Sequence, residues 1–113
     1  MNDISTHVLD TALGRPAAMV NVVLERSGDI GWQPLAVRQT DRDGRCRQLL
    51  PPGVSLQPGQ YRLRFDTQAY YMAHSIQGLY PFVEITFTVR ESDTHLHIPL
   101  LLTANGYTTY RGT

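Results

Sequence analysis

Apolar and polar residues alternate with period two over short segments, and turn-forming residues separate those segments. In "YRLRF", Tyr61, Leu63 and Phe65 fall on one side of an extended chain and Arg62 and Arg64 on the other. In "FVEITFTVR", Val83, Ile85, Phe87 and Val89 form the apolar set, while Glu84, Thr86, Thr88 and Arg90 face away. "LGRPAA", "RSGDIG", "DRDG", "PPG" and "QPGQ" punctuate the chain as turns. Short alternating strands with regularly spaced turns predict an antiparallel sandwich. One stretch departs from the alternation. "DTQAYYMAHS", 66–75, opens on a helix-capping Asp–Thr pair and continues in helix formers and aromatics, which predicts a short helix. The expected order is five strands, the helix, then three strands, with "YTTYRGT" as the last.

Two segments carry chemistry on the face turned away from the core. "HLHIPLLL", 95–102, puts Leu96, Ile98, Leu100 and Leu102 on the core side and His95, His97, Pro99 and Leu101 on the other. Pro99 has no N–H to give a ladder, so this strand is expected at an edge or interrupted there. "ISTHVLD" alternates Ile4, Thr6 and Val8 with Ser5, His7 and Leu9, which turns His7 outward as well. An outer face that mixes leucines with histidines suits a surface covered by another subunit, or a pocket wall. A single outward histidine is ordinarily a surface or interface residue without a chemical role. Taken together, the three leave two chemical readings open. His95 and His97, about 7 Å apart along a strand, could ligate zinc with His7 as the third ligand. Alternatively, imidazoles serve as general acid and base near neutral pH.

Length and charge narrow the classes. The 113 residues read as one domain, 1–113, and the formal charge is zero, with 10 basic and 10 acidic residues. That balance argues against a nucleic-acid binder held by a basic field. No apolar run approaches the roughly 20 residues of a membrane span. "MNDISTHVLD" has neither a basic start nor an apolar core of a signal peptide, and the expected location is the cytoplasm. Cys46 is the single cysteine; it has no disulfide partner and alternates toward the core. "TDRDGR" lacks the first and last carboxylates of a calcium loop and reads as an Asp–Gly turn. Arg45, just beyond it, has the planar fork that suits a carbonyl-rich or anionic ligand. Tyr70, Tyr71 and Tyr80 read as packing residues with solvent-facing hydroxyls. No nucleophile elbow, phosphate loop or dinucleotide fingerprint is present.

"ISTHVLDTALGRPA", "TDRDGR", "HIPLLL" and the terminal "YTTYRGT" resemble, in that order and over essentially the whole chain, the transthyretin-like 5-hydroxyisourate hydrolases. The terminal Tyr-Arg-Gly-Ser is that family's most specific mark and separates it from the transthyretin hormone carriers. The resemblance implies a transthyretin-like, all-β, two-sheet, eight-strand sandwich with one short helix. It implies a homotetramer with active sites in a channel at the dimer–dimer interface. The implied reaction opens 5-hydroxyisourate, the product of urate oxidation, to 2-oxo-4-hydroxy-4-carboxy-5-ureidoimidazoline without a cofactor. By position, the family's catalytic residues fall on His7, Arg45 and His97. Substrate contacts fall on His7, Arg45, Tyr110, Arg111 and Thr113. Gly112 also matches. Thr113 is the one departure, since the family ends in serine. His95 stands beside His97 as a supporting or metal-capable neighbour. Two rivals remain at this point: a carrier that binds a small ligand without turnover, and a zinc hydrolase using His7, His95 and His97.

Overall fold

The computed structural model describes residues 2–113. In chain order the elements are β1 (Asp3–Asp10), β2 (Arg15–Pro16), β3 (Asn21–Gly28), β4 (Gly31–Gln39), β5 (Arg45–Cys46), β6 (Gly59–Phe65), α1 (Thr67–Ala73), β7 (Val83–Val89), β8 (His95–Thr103) and β9 (Gly106–Thr109). One sheet runs β2-β1-β8-β9, with β5 also paired to β1; the other runs β4-β3-β6-β7. The two-sheet, all-β sandwich with one short helix is therefore as expected. Nine strands rather than eight are present among the described residues, because the segment read as a turn at 13–18 contributes the two-residue β2, which pairs briefly with β1 as the equally short β5 also does.

The alternation sorts the core as the sequence predicts. Ile4, Val8, Leu63, Phe65, Leu100 and Leu102 are almost fully buried, as are Tyr61, Val83, Val89 and Leu96. Ile85 and Phe87 are only partly buried. They line a groove with Leu96, Ile98, Thr109 and Tyr110, where the edge strands β7 and β9 leave the sandwich open. The helix starts where the capping signal places it, with Asp66 accepting the N–H of Ala69 at 3.2 Å. It ends at Ala73 rather than running to 75, and Ser75 has a left-handed φ of 56°.

Two further expectations change. The hydroxyls of Tyr70 and Tyr71 do not face solvent: Tyr70 donates to Asp10 Oδ2 at 2.7 Å, and Tyr71 donates to the Thr103 carbonyl. A buried hydroxyl requires such a partner. Nor is the sandwich wholly antiparallel. β1 and β8 run parallel, with Ser5 opposite His97 and His7 opposite Pro99. No hairpin constrains this pair, because the whole second sheet lies between them in the chain.

Pro99 interrupts its strand rather than marking an edge. β8 lies between β1 and β9. The β8–β9 ladder stops at Leu100–Thr109, and the same register resumes at an isolated bridge between His97 and Gly112. That register brings Tyr110 opposite Pro99, at a position where the ladder would need a donor from proline. The Pro99 carbonyl is instead satisfied by Thr109 Oγ1 at 2.8 Å.

Candidate active site

The turn before β5 is built around one carboxylate. Asp41 Oδ1 accepts the N–H groups of Asp43 (2.8 Å) and Arg45 (3.0 Å), and Oδ2 accepts from Arg47 Nη1 at 2.7 Å. The Arg45 N–H, chiefly, holds the Asp41 carboxyl below the usual carboxylate range. Gly44 adopts φ +76°, and its carbonyl accepts from Val8 N at 2.7 Å. A Cβ there would lie 2.4 Å from the Val8 oxygen, so only glycine lets the turn lie flush on β1. The docked turn sets the register, with Arg45 directly across from His7 and Cys46 across from Thr6. Opposed residues share a face. Arg45 and His7 therefore point outward together, while Cys46 is buried and burial pushes its thiol up to about 11.

β8 brings the second imidazole. Its parallel register aligns Ser5 with His97 on the face that carries His7. Ser5 Oγ lies 2.8 Å from His97 Nδ1 and 3.0 Å from His95 Nε2, so one buried hydroxyl joins both imidazoles. Ser5 was not among the residues singled out from the sequence. Its signal was positional: it shares the parity of His7, but its partner depends on a register between segments 90 residues apart in the chain.

The chain's last residues close over His97. Gly112 N donates to the His97 carbonyl at 2.8 Å. A Cβ on Gly112 would sit 2.5 Å from His97 Cδ2 and 3.2 Å from Pro99 Cγ. Thr113 then lines a cavity of about 270 Å³ with Ser5, Arg45, Arg47, His95 and His97. His7 stands at the side of this group, its Nε2 bonded to the Asp43 carbonyl at 2.9 Å. A carbonyl only accepts, so that nitrogen carries the proton and Nδ1 is left as an acceptor.

Both imidazoles are biased toward the neutral form. Burial is the larger cause at His97, followed by the nearby Arg45 cation and the other two histidines. At His7, burial and then Arg45 lower the value, and the bond to Asp43 partly offsets them. Two neutral imidazoles beside a guanidinium make a set that can take a proton from water and stabilise negative charge on an oxygen.

Tyr110 and Arg111 lie elsewhere in the single chain. Both line the groove at the open edge of the sandwich, and Arg111 Nη2 is paired with Asp93 Oδ1 at 3.1 Å. Among the described residues, no three His, Cys, Asp or Glu side chains are grouped so as to hold a metal ion. Nor is any helix among them long and apolar enough to cross a membrane.

Fold and site together define a transthyretin-like sandwich that carries ionisable groups on the outer face of its mixed sheet. Residues 4–112 match the model of the HIUase/Transthyretin family, and the chain belongs to that family. It is 42% identical over 111 residues to the 5-hydroxyisourate hydrolase of Mus musculus, covering 96% of this chain and 93% of the mouse protein. Among solved structures it resembles the 5-hydroxyisourate hydrolase of Klebsiella pneumoniae, with a TM-score of 0.86 and 32% identity over 100% of this chain and 94% of that one. It also resembles the transthyretin of Sparus aurata, with a TM-score of 0.90 and 27% identity over 99% and 97% of the two chains.

Proposed function

We propose that this protein hydrolyses 5-hydroxyisourate to 2-oxo-4-hydroxy-4-carboxy-5-ureidoimidazoline, a step of urate degradation, using its own side chains as acid and base. The observation that carries the reading is the outward cluster of His7, Arg45 and His97, set by the β1–β5 and β1–β8 registers, in a chain of this family. His7 and His97 hold a water molecule and remove its proton as it attacks the ring carbonyl carbon. Arg45 binds the substrate's oxygens and stabilises the charge that grows on the attacked one. As the cyclic amide C–N bond breaks, the proton returns to the leaving ring nitrogen, so no atom is left over. Thr113 contributes its hydroxyl at the cavity wall.

The protein would act as a homotetramer, with each site completed at the dimer–dimer interface. Support comes from the resemblance and from the open cavity on a face that also carries the half-buried Leu9 and Leu101. In such an assembly Tyr110 and Arg111 have a route to a neighbouring site that the single chain does not give them. Sizing in solution tests this, and a stable monomer would count against it.

The activity itself is tested by following the ultraviolet decay of freshly made 5-hydroxyisourate. Wild type should accelerate it, and His7→Asn, Arg45→Gln and His97→Asn should each lose about 100-fold or more. Wild-type rates in all three variants would refute the site. Binding without turnover would favour the carrier reading, to which the transthyretin likeness lends its fold.

A further inference from the structure

Ser5 is 8% exposed and bonds one ring nitrogen of each of two histidines. A hydroxyl owns one proton. It donates to one imidazole, and the other imidazole must donate to it. The tautomers of His95 and His97 are therefore coupled through one oxygen.

We propose that Ser5 is a positioning residue that keeps the proton of His97 on Nδ1, leaving Nε2 as the base for water, and that His95 is the store for the proton so taken. This rests on the hydrolase reading of the site. Three observations favour that direction. First, His97 has an outlet that His7 lacks: the hydroxyl can accept a proton and pass one on, whereas the Asp43 carbonyl bonded to His7 only accepts. Second, an imidazolium at His97 would stand near Arg45, while His95 is exposed and water screens its charge. Third, the Gly112 backbone against Cδ2 opposes rotation of the His97 ring, so Nδ1 stays on Ser5 and Nε2 stays on the opposite edge of the ring.

His97 Nε2 takes a proton from the attacking water, Nδ1 releases its proton to Ser5 Oγ, and the hydroxyl's own proton moves to His95 Nε2. His97 is then neutral with its proton on Nε2, and His95 is an imidazolium. When the C–N bond breaks, Nε2–H protonates the leaving nitrogen and the chain of transfers runs back. Every side chain ends as it began.

The experiment combines kinetics with long-range nitrogen–proton spectra of the histidine-labelled full chain. Wild type should have His97 protonated on Nδ1; a dominant Nε2–H form would overturn the proposal. Ser5→Ala should lower kcat about tenfold or more, with KM within about twofold, and should scramble that tautomer. Ser5→Thr, which restores a hydroxyl, should recover most of the loss. His95→Gln separates orientation from storage, since its amide oxygen can accept from Ser5 but cannot take a proton. It should keep the His97 tautomer and still lose about tenfold in kcat. A kcat within about twofold of wild type in Ser5→Ala or in His95→Gln would overturn the proposal. If wild type itself fails to turn over 5-hydroxyisourate, the hydrolase reading has failed; if wild type turns over and both variants match it, only the relay has.

Discussion

The backbone of Gly112 lies against the imidazole of His97 so closely that a methyl group on it would fall 2.5 Å from Cδ2. Gly112 also donates to the carbonyl of that same histidine. The chain's penultimate residue thus fixes both the backbone and the ring of a residue fifteen positions earlier.

Gly112→Ala should accordingly displace the His97 ring. The added methyl overpacks the contact at a cost of about 1–3 kcal/mol, which the sandwich tolerates. Steady-state kinetics should register at least about a tenfold fall in kcat/KM, with a cooperative melt retained. An unchanged kcat/KM would mean that the ring can move without consequence.

Removal of Tyr110–Thr113 should abolish turnover and leave a folded sandwich by circular dichroism, because the deleted residues pair with β8 only through the bridge beyond Pro99. Thr113→Ser should be nearly neutral. A large gain from that change would identify the extra methyl as an obstruction in the cavity.

Asp41 acts on the site through the turn it organises. Asp41→Ala removes the acceptor for two backbone N–H groups and for Arg47. The expected result is a fall of about tenfold in kcat/KM, smaller than that of Arg45→Gln. Asp41→Asn keeps a carbonyl oxygen for the N–H groups and should recover part of the activity.

Acid should switch the site off. His7 and His97 both lie below the ordinary value of 6.5, so both are neutral at pH 7. Activity should fall as pH drops below 6.5, with its midpoint lower than for an unperturbed imidazole. The unfolded chain binds these protons first. The histidines' contribution to stability is therefore complete above about pH 6.5 and is lost as pH falls through the folded values. Removing the nearby cation in Arg45→Gln should raise the His97 value in a spectroscopic titration. A fall instead would contradict the assigned cause.

The faces of the strands were legible in the sequence, because period two assigns Leu63 to the core and His97 to the outside without reference to any neighbour. So were the Asp66 helix start and the Asp–Gly turn that precedes Arg45, since their signals are local. Adjacency was not legible. The union of Ser5 with His97 depends on a parallel register between the first and eighth strands, and the packing of Gly112 on that ring depends on where β9 resumes after Pro99. The strand count differs by one for a related reason: a two-residue strand such as Arg15–Pro16 exists only through its partner, leaves no periodic pattern and lies in a segment that reads as a turn. The matched terminal motif singles out Tyr110 and Arg111, but the groove they line in the single chain depends on how the edge strands β7 and β9 meet, which no local signal gives.

The parallel pairing of β1 with β8 also has a kinetic consequence. As the chain leaves the ribosome, its first strand must remain without its longest partner until some ninety residues have followed it. Contacts of such separation slow folding and leave apolar edges uncovered in the meantime. The second sheet, β3, β4, β6 and β7, can assemble through nearer neighbours. Catalytic competence should therefore arrive late and all at once during refolding, after most of the secondary structure has formed, because Ser5 and His7 meet His97 only when the two ends of the chain are stitched together.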